Sequence, residues 1–149
     1  SIRADSSIVT LGERHPGSME SIGNVTGILE SDLGTTTDLK GNRVQLSFLG
    51  GKLDSLVIKV GEVDHISVDE KRESRLSGKR ILLKFQNGDI RDVLAQGEAK
   101  CEHTDGKANN GQVWLTGDRV ELSFETGELV HALAEGGVQG SYEDQGGGQ

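Results

Sequence analysis

"GDRVELSFETGELVHALAEGGVQG", residues 117–140, is written twice more upstream in nearly the same words. Residues 41–63 read "GNRVQLSFLGGKLDSLVIKVGEV" and residues 78–99 read "GKRILLKFQNGDIRDVLAQGEA". Each copy opens with Gly-x-Arg and an apolar residue, then runs to Phe, Gly, Leu or Ile, and Gly again. In the third copy Val120, Leu122 and Phe124 alternate with Arg119, Glu121 and Ser123. That is period two, the signature of a strand with one apolar face. The same face is Val44, Leu46 and Phe48 in the first copy and Ile81, Leu83 and Phe85 in the second, with Leu82 the one apolar residue on the polar side. A catalytic motif is rarely written three times in a small chain, so the repeat is structural.

Each strand stops at a turn: "LGGK", "QNGD", "ETGE". Asn87-Gly88 is the strongest hairpin signal, since both residues tolerate positive φ. A second strand follows each turn: "LDSLVIKV", "IRDVLAQ", "LVHALAE". Here Leu53 to Leu56, Ile90 to Val93 and Leu129 to Ala132 are three apart, so alternation must change face at a bulge or sharp twist. Gly61, Gly97 and Gly136 are expected to end these strands, with a further short strand after each. A weaker copy opens the chain: "RADSSIVTL", the turn "GERHPGS", then "MESIGNVTGILE". It lacks the Phe, and its Gly23-Asn24-Val25 falls where the other copies place Gly61, Gly97 and Gly136. The anchors Gly41, Gly78 and Gly117 are 37 and 39 residues apart, the regime of repeat architectures. Period two excludes helical repeats, and the chain is too short to close a propeller. The expected fold is all-β: an elongated open antiparallel sheet of about four strand-pair repeats, folded over so that its apolar faces meet.

Composition agrees. The chain has 149 residues, 33% hydrophobic and only 3% aromatic, which suits a thin sheet better than a thick enzyme core. Its net charge of −8 argues against a nucleic-acid partner, because neutralising phosphates needs a basic face. The local basic cluster of Lys71, Arg72, Arg75, Lys79 and Arg80 reads as a solvated loop and strand edge. Cys101 is the single cysteine, so no intrachain disulfide forms. No run approaches transmembrane length, and Ser1 is not followed by an apolar signal region. The chain is therefore read as soluble: a mature form, or one lacking its leader.

The wording of residues 117–144, "GDRVELSFETGELVHALAEGGVQGSYED", resembles the OstA-like lipopolysaccharide-transport family, which includes LptA, LptC and the periplasmic domain of LptD. "MESIGNVTGILE" is similar to that family's Gly-Asn-Val segment. The resemblance runs from Ile2 to Asp144 and rests on the repeat pattern. It implies an open β-jellyroll, a folded "taco", over residues 1–144, with 145–149 a flexible Gly-rich tail. It also implies a periplasmic location and an acyl lipid such as lipopolysaccharide as cargo. The expected partners are other jellyroll domains of the same system, or copies of itself, joined head to tail.

On this reading the lipid groove is walled by Val44, Leu46, Phe48, Ile81, Leu83, Phe85, Val120, Leu122 and Phe124. Such a wall needs no special chemistry, since burying a methylene is worth about 0.8 kcal/mol and one long acyl chain on the order of 10 kcal/mol before ordering costs. Equal grooves in successive modules give no net drive, so direction must come from an outside energy source. The head-to-tail edges are expected at Ile8, Val9 and Leu11 and at Val138 and Tyr142. There unpaired strand edges attract a neighbour, and a proline at Val138 is expected to remove a ladder donor.

No catalytic residue, metal or cofactor is expected. The glycines match neither the P-loop nor the dinucleotide spacing, and no Gly-x-Ser-x-Gly elbow is present. Cys101 and His103 share a strand face, but a zinc site needs three or four ligands, and His15, His65 and His131 are scattered. Asp69/Glu70 and Glu143/Asp144 lack calcium-loop spacing and read as solvated turns. Trp114 is expected to plug an end of the core, with gating the groove or stacking on a sugar as the alternatives. Two other functional classes stand beside the carrier. One is a β-repeat scaffold that assembles end to end without lipid. The other is a carbohydrate-binding or hydrolytic β-domain, for which no carboxylate or aromatic constellation emerges.

Overall fold

The computed structural model describes residues 2–11, 16–31, 34–106 and 111–144. Ten strands follow one another with no helix among the described residues: β1 (Ile2–Arg3), β2 (Ser6–Leu11), β3 (Pro16–Glu30), β4 (Thr35–Leu49), β5 (Lys52–Ser67), β6 (Arg72–Gln86), β7 (Asp89–Asp105), β8 (Gly111–Glu125), β9 (Glu128–Glu135) and β10 (Gln139–Asp144). From β3 to β8 each strand pairs antiparallel with the next, a meander that needs only tight turns. At one end β1 and β2 both pair with β3; at the other β9 and β10 both pair with β8. The sheet does not close on itself. This is the expected all-β open antiparallel jellyroll.

The long strands bend along one line. On β3 the ladder skips between Ile22 and Val25, and on β7 between Gln96 and Ala99. Asn24, Val60 and Glu98 stand at φ 47°, 51° and 52°, beside Gly23, Gly61 and Gly97. The glycines read as strand ends in the first and second copies are therefore bends, like Gly23 in the weak opening copy: β3, β5 and β7 continue through Gly23, Gly61 and Gly97. The physical reason is that a bulge turns a strand sharply while the ladder resumes on the other side. Only at Gly136-Gly137 does the chain break, between β9 and β10. Gly61 meets Gly41 and Gly78 across the sheet, and a Cβ there would overlap the Lys40 carbonyl oxygen. The crease is where backbones approach most closely.

The crease divides the sheet into two halves of strand segments. The first half holds β2, residues 16–22, 43–49, 52–59, 80–86, 89–96 and 119–125, and β9. The second holds β1, residues 25–30, 35–41, 61–67, 72–78, 99–105 and 111–117, and β10. Their inner faces meet. In the first half the inner rows are Val44–Ile58–Ile81–Ala95–Val120 and Leu46–Leu56–Leu83–Val93–Leu122, each paired strand to strand. All ten are at most 3% exposed. The change of face anticipated after each turn is present as three bulges: the ladder steps from Phe48↔Leu53 to Ser47↔Ser55, from Phe85↔Ile90 to Lys84↔Asp92, and from Phe124↔Leu129 to Ser123↔His131. Asp54, Arg91 and Val130 are the extra residues. Among the described residues no helix is long and apolar enough to cross a membrane.

Candidate functional site

Alternation carries all nine residues read as groove wall to the inner face of the first half. Eight are buried, and Phe48 packs half-buried against them. The central rows fill the interior with their own side chains. Among the described residues, partly buried apolar side chains pack against this core toward the margins, at Ile2, Ala4, Met19, Leu29, Phe48 and Leu53 on one side and Leu115, Leu129 and Ala134 on the other.

The second half starts apolar at the crease and turns polar away from it. One step out is the row Leu39–Val63–Leu76–Cys101. The next row is Leu29–Thr37–His65–Ser74–His103, and the outermost is Thr35–Ser67–Arg72–Asp105. These polar residues are buried because the turns of the first half lie over them, and they pair. Thr37 Oγ1 and His65 Nδ1 are 2.8 Å apart, and His65 Nε2 lies 3.1 Å from Asp89 Oδ1 across the interior. The Ser74 hydroxyl lies 2.8 Å from His103 Nδ1. Thr35 Oγ1 donates to the Gly88 carbonyl at 3.1 Å. Arg72 donates to Asp105 at 3.0 Å, to the Thr126 carbonyl at 3.3 Å and to Glu128 at 3.4 Å. Two edge-on ring contacts complete this seam, His65 on Phe85 and His103 on Phe124, with centroids 6.3 and 5.2 Å apart. The jellyroll is thus creased on one side and laced by polar groups on the other.

Burial sets the charge states. Desolvation pushes His103 below its ordinary value, holding it neutral; its Nε2 is buried with no hydrogen-bond partner. The hydrogen bond from His65 pulls Asp89 below the usual carboxylate range, against the opposing effect of burial. Burial alone pushes the Cys101 thiol up to about 12. That thiol is a small apolar filler rather than a nucleophile. No group of three metal-ligating side chains exists among the described residues.

Beside the laced stretch the seam stands open. A cavity of about 480 Å³ lies among Leu29, Thr37, Phe48, Leu53 and Phe85, with Lys52 and Glu30 on its lips. A groove of about 640 Å³ follows the crease among Lys40, Asn42, Val60, Lys79 and Glu98. These five are exposed, and Val25 and the crease glycines Gly41, Gly61, Gly78 and Gly97 also line it.

Several sequence expectations need correction. Arg72, read with its neighbours as a solvated edge, is only 12% exposed and laces the seam, because alternation on β6 turns it inward. Of the histidines read as scattered from the Cys101–His103 pair, His65 is not: the meander places it on the inner row of His103, two strands away. Trp114 does not plug the core. It pairs with Glu102 on β7 and Ser141 on β10, positions of the outer face, while its neighbours Val113 and Leu115 follow His103 and Cys101 inward. Val138 precedes β10 and lies outside its ladder, so a proline there removes no ladder donor. Ile8 lies on the edge strand β2 and is 61% exposed. The side chains of Val9, Leu11 and Tyr142, and all of residues 145–149, lie outside the described residues. No equal spacing marked the inner-row histidines in the sequence: they lie four and six residues past Gly61 and Gly97, and only the structure shows both to stand five past the positive-φ residues Val60 and Glu98.

No family model matches the chain, and no curated protein sequence matches it. Among solved structures the fold is similar to the crystal structure of LptH from Pseudomonas aeruginosa, the LptA homologous periplasmic component of the conserved lipopolysaccharide transport device. The TM-score is 0.58 at 15% identity, over 91% of this chain and 81% of that one. At that identity the likeness is one of fold: this chain has an LptA-like jellyroll.

Proposed function

We propose that the chain is a non-enzymatic carrier module of a periplasmic conduit. It would hold the acyl part of lipopolysaccharide, or of a related lipid, against the inner face of the jellyroll. It would pass that cargo between similar domains joined end to end. The observation that carries this reading is the apolar inner face of the first half, its rows running from β4 to β8, in a fold like that of LptH. Nine wall positions from three repeats contribute to that face, and a chain lying on it needs only dispersion and water exclusion to bind.

The open ends supply the joining surfaces. In the first half the edges are β2 and β9, and in the second they are β1, flanking β3, and β10. End-to-end addition that continues both halves brings β9 of one copy onto β2 of the next, with β10 onto the β1–β3 edge. Native mass spectrometry of gently purified protein tests the carrier reading, with copurified acyl lipid the expected result. A second reading is a lipid-free scaffold built by the same edges. The packing of the central rows favours it, since side chains at most 3% exposed leave no standing channel there. Lipid-free polymers in the same measurement would select the scaffold.

A further inference from the structure

The three copies of the repeat meet the seam at three equivalent stations. Each station joins one inner-row residue of the second half to one aromatic of the first half and to the residue four positions beyond that aromatic. The inner-row residues are Leu29, His65 and His103, which share one cross-strand row through Thr37 and Ser74. The aromatics are Phe48, Phe85 and Phe124, each paired with the first inward residue after its turn. The residues four beyond are Lys52, Asp89 and Glu128.

Two stations are fastened. At the middle one His65 sits edge-on to Phe85 and meets Asp89 at 3.1 Å. At the last His103 sits edge-on to Phe124, and Arg72 reaches across to Glu128 at 3.4 Å. The first station has neither the histidine nor the acid: leucine replaces the one and lysine the other. There the seam holds the cavity of about 480 Å³, and Phe48 is less buried than Phe85 and Phe124. The Thr35–Gly88 hydrogen bond marks where the lacing begins.

We propose that the first station is a lateral mouth of the jellyroll that admits one acyl chain through the seam, with an anionic head held at Lys52. The inference rests on the carrier reading and adds to it a place of entry and a ligand class. The cavity volume falls in the range that takes one ligand of moderate size, so it fits a single chain and not a bundle. The walls Leu29, Phe48 and Leu53 offer only apolar contact. The exchange of Asp89 and Glu128 for Lys52 reverses the charge at the lip, while Glu30 stands on the other lip.

The probe is laurate carrying a photoactivatable diazirine near its methyl end. Adducts are expected on Leu29, Phe48 or Leu53, and none on β8 or β9. Leu29→His with Lys52→Asp writes the fastened station into the first position. That variant is expected to bind laurate about tenfold more weakly or worse, the effect of losing burial of about two methylenes. Circular dichroism checks that it folds; if it does not, the adduct map and Leu53→Trp, which fills the cavity, decide the question. Displacement of laurate by lipopolysaccharide assigns the chain to that lipid, and capture without displacement assigns it to a free single-chain amphiphile. Laurate bound equally by wild type and the fastened variant, or adducts centred on β8 and β9, would overturn the mouth and leave the carrier reading standing. No capture of laurate and no lipopolysaccharide bound by the wild type would overturn both.

Discussion

Asp64 and Glu73 lie on neighbouring strands of the outer face, and Arg75 lies 2.7 Å from Glu73 and 3.8 Å from Asp64. Burial, then the hydrogen bond to Glu73, pushes the Asp64 carboxyl up to about 6. The same bond and Arg75 pull Glu73 down, so the proton between them sits on Asp64. Between pH 3.8 and about 6 the folded state holds this proton and the unfolded state releases it, so Asp64 costs stability as pH rises through that window. Asp64→Asn keeps the hydrogen-bonding shape without the charge. Its urea midpoint is expected to equal wild type near pH 4 and exceed it at pH 7; a midpoint lower than wild type at pH 7 counts against a shared proton. His103 carries the opposite sign. Its folded value is depressed by burial, so the unfolded chain takes up a proton first as pH falls below 6.5, the ordinary histidine value, and stability drops from there. His103→Gln is expected to flatten that acid limb between about pH 6.5 and 5 in the same titration. Cys101 supplies a third residue-scale test. A thiol 2% exposed and pushed up to about 12 should not react with a disulfide reagent at pH 8 until urea unfolds the chain. Rapid labelling in the folded protein would mean that the two halves part readily.

The strands show which features can be read locally. The bulges at Asp54, Arg91 and Val130 were legible because each displaces an apolar residue by one position, and a three-residue spacing records that. The crease was half legible: glycine marked its position, but glycine is compatible with both a strand end and a bend. Pairing on both flanks of Gly61 and Gly97 decides for the bend. Val60 is the exposed test of that device. A β-branched residue at φ 51° pays for a left-handed conformation that Asn24 adopts more easily at the equivalent bend. Val60→Asn should therefore raise stability by about 1 kcal/mol. Gly61→Ala should lower it by about 1–3 kcal/mol, since its Cβ meets backbone that cannot swing aside. Thermal melts ordered otherwise would remove the strain account. The seam was not legible from local pattern. Thr37, His65, Ser74 and His103 read as gaps in the apolar alternation, because the turns that cover them come from residues far away in sequence. Arg72 was misread for the same reason: its carbonyl partner, Thr126, lies 54 positions along the chain.

At the scale of the molecule the question is how the open ends are used. An unpaired strand edge presents a row of backbone donors and acceptors, and β2 and β9 present such rows in the same half of the jellyroll. Exposed Ile8 stands at one of these ends, and Val130 and Leu133 at the other. A head-to-tail contact between two different edges does not close on itself, so it propagates into a line of modules. The sequence pointed to β2 and to the segment around Val138, but these lie in different halves. Joining β2 directly to β10 would set one half of a module against the opposite half of the next and interrupt both inner faces. Joining β9 to β2 continues the Leu46–Leu122 row across the junction. Cysteines at Ser7 and Ala134, the two ends of the neighbouring Val44–Val120 row, are therefore expected to give ladders of disulfide-linked oligomers under mild oxidation, with buried Cys101 replaced by serine. The pair Ser7 and Ser141, which joins β2 to β10, is expected to give none. Ladders from the second pair alone would reverse the assignment of edges. A protein that sediments as a monomer at every concentration, and cross-links from neither pair, would leave the conduit without a means of extending itself from copies of this chain.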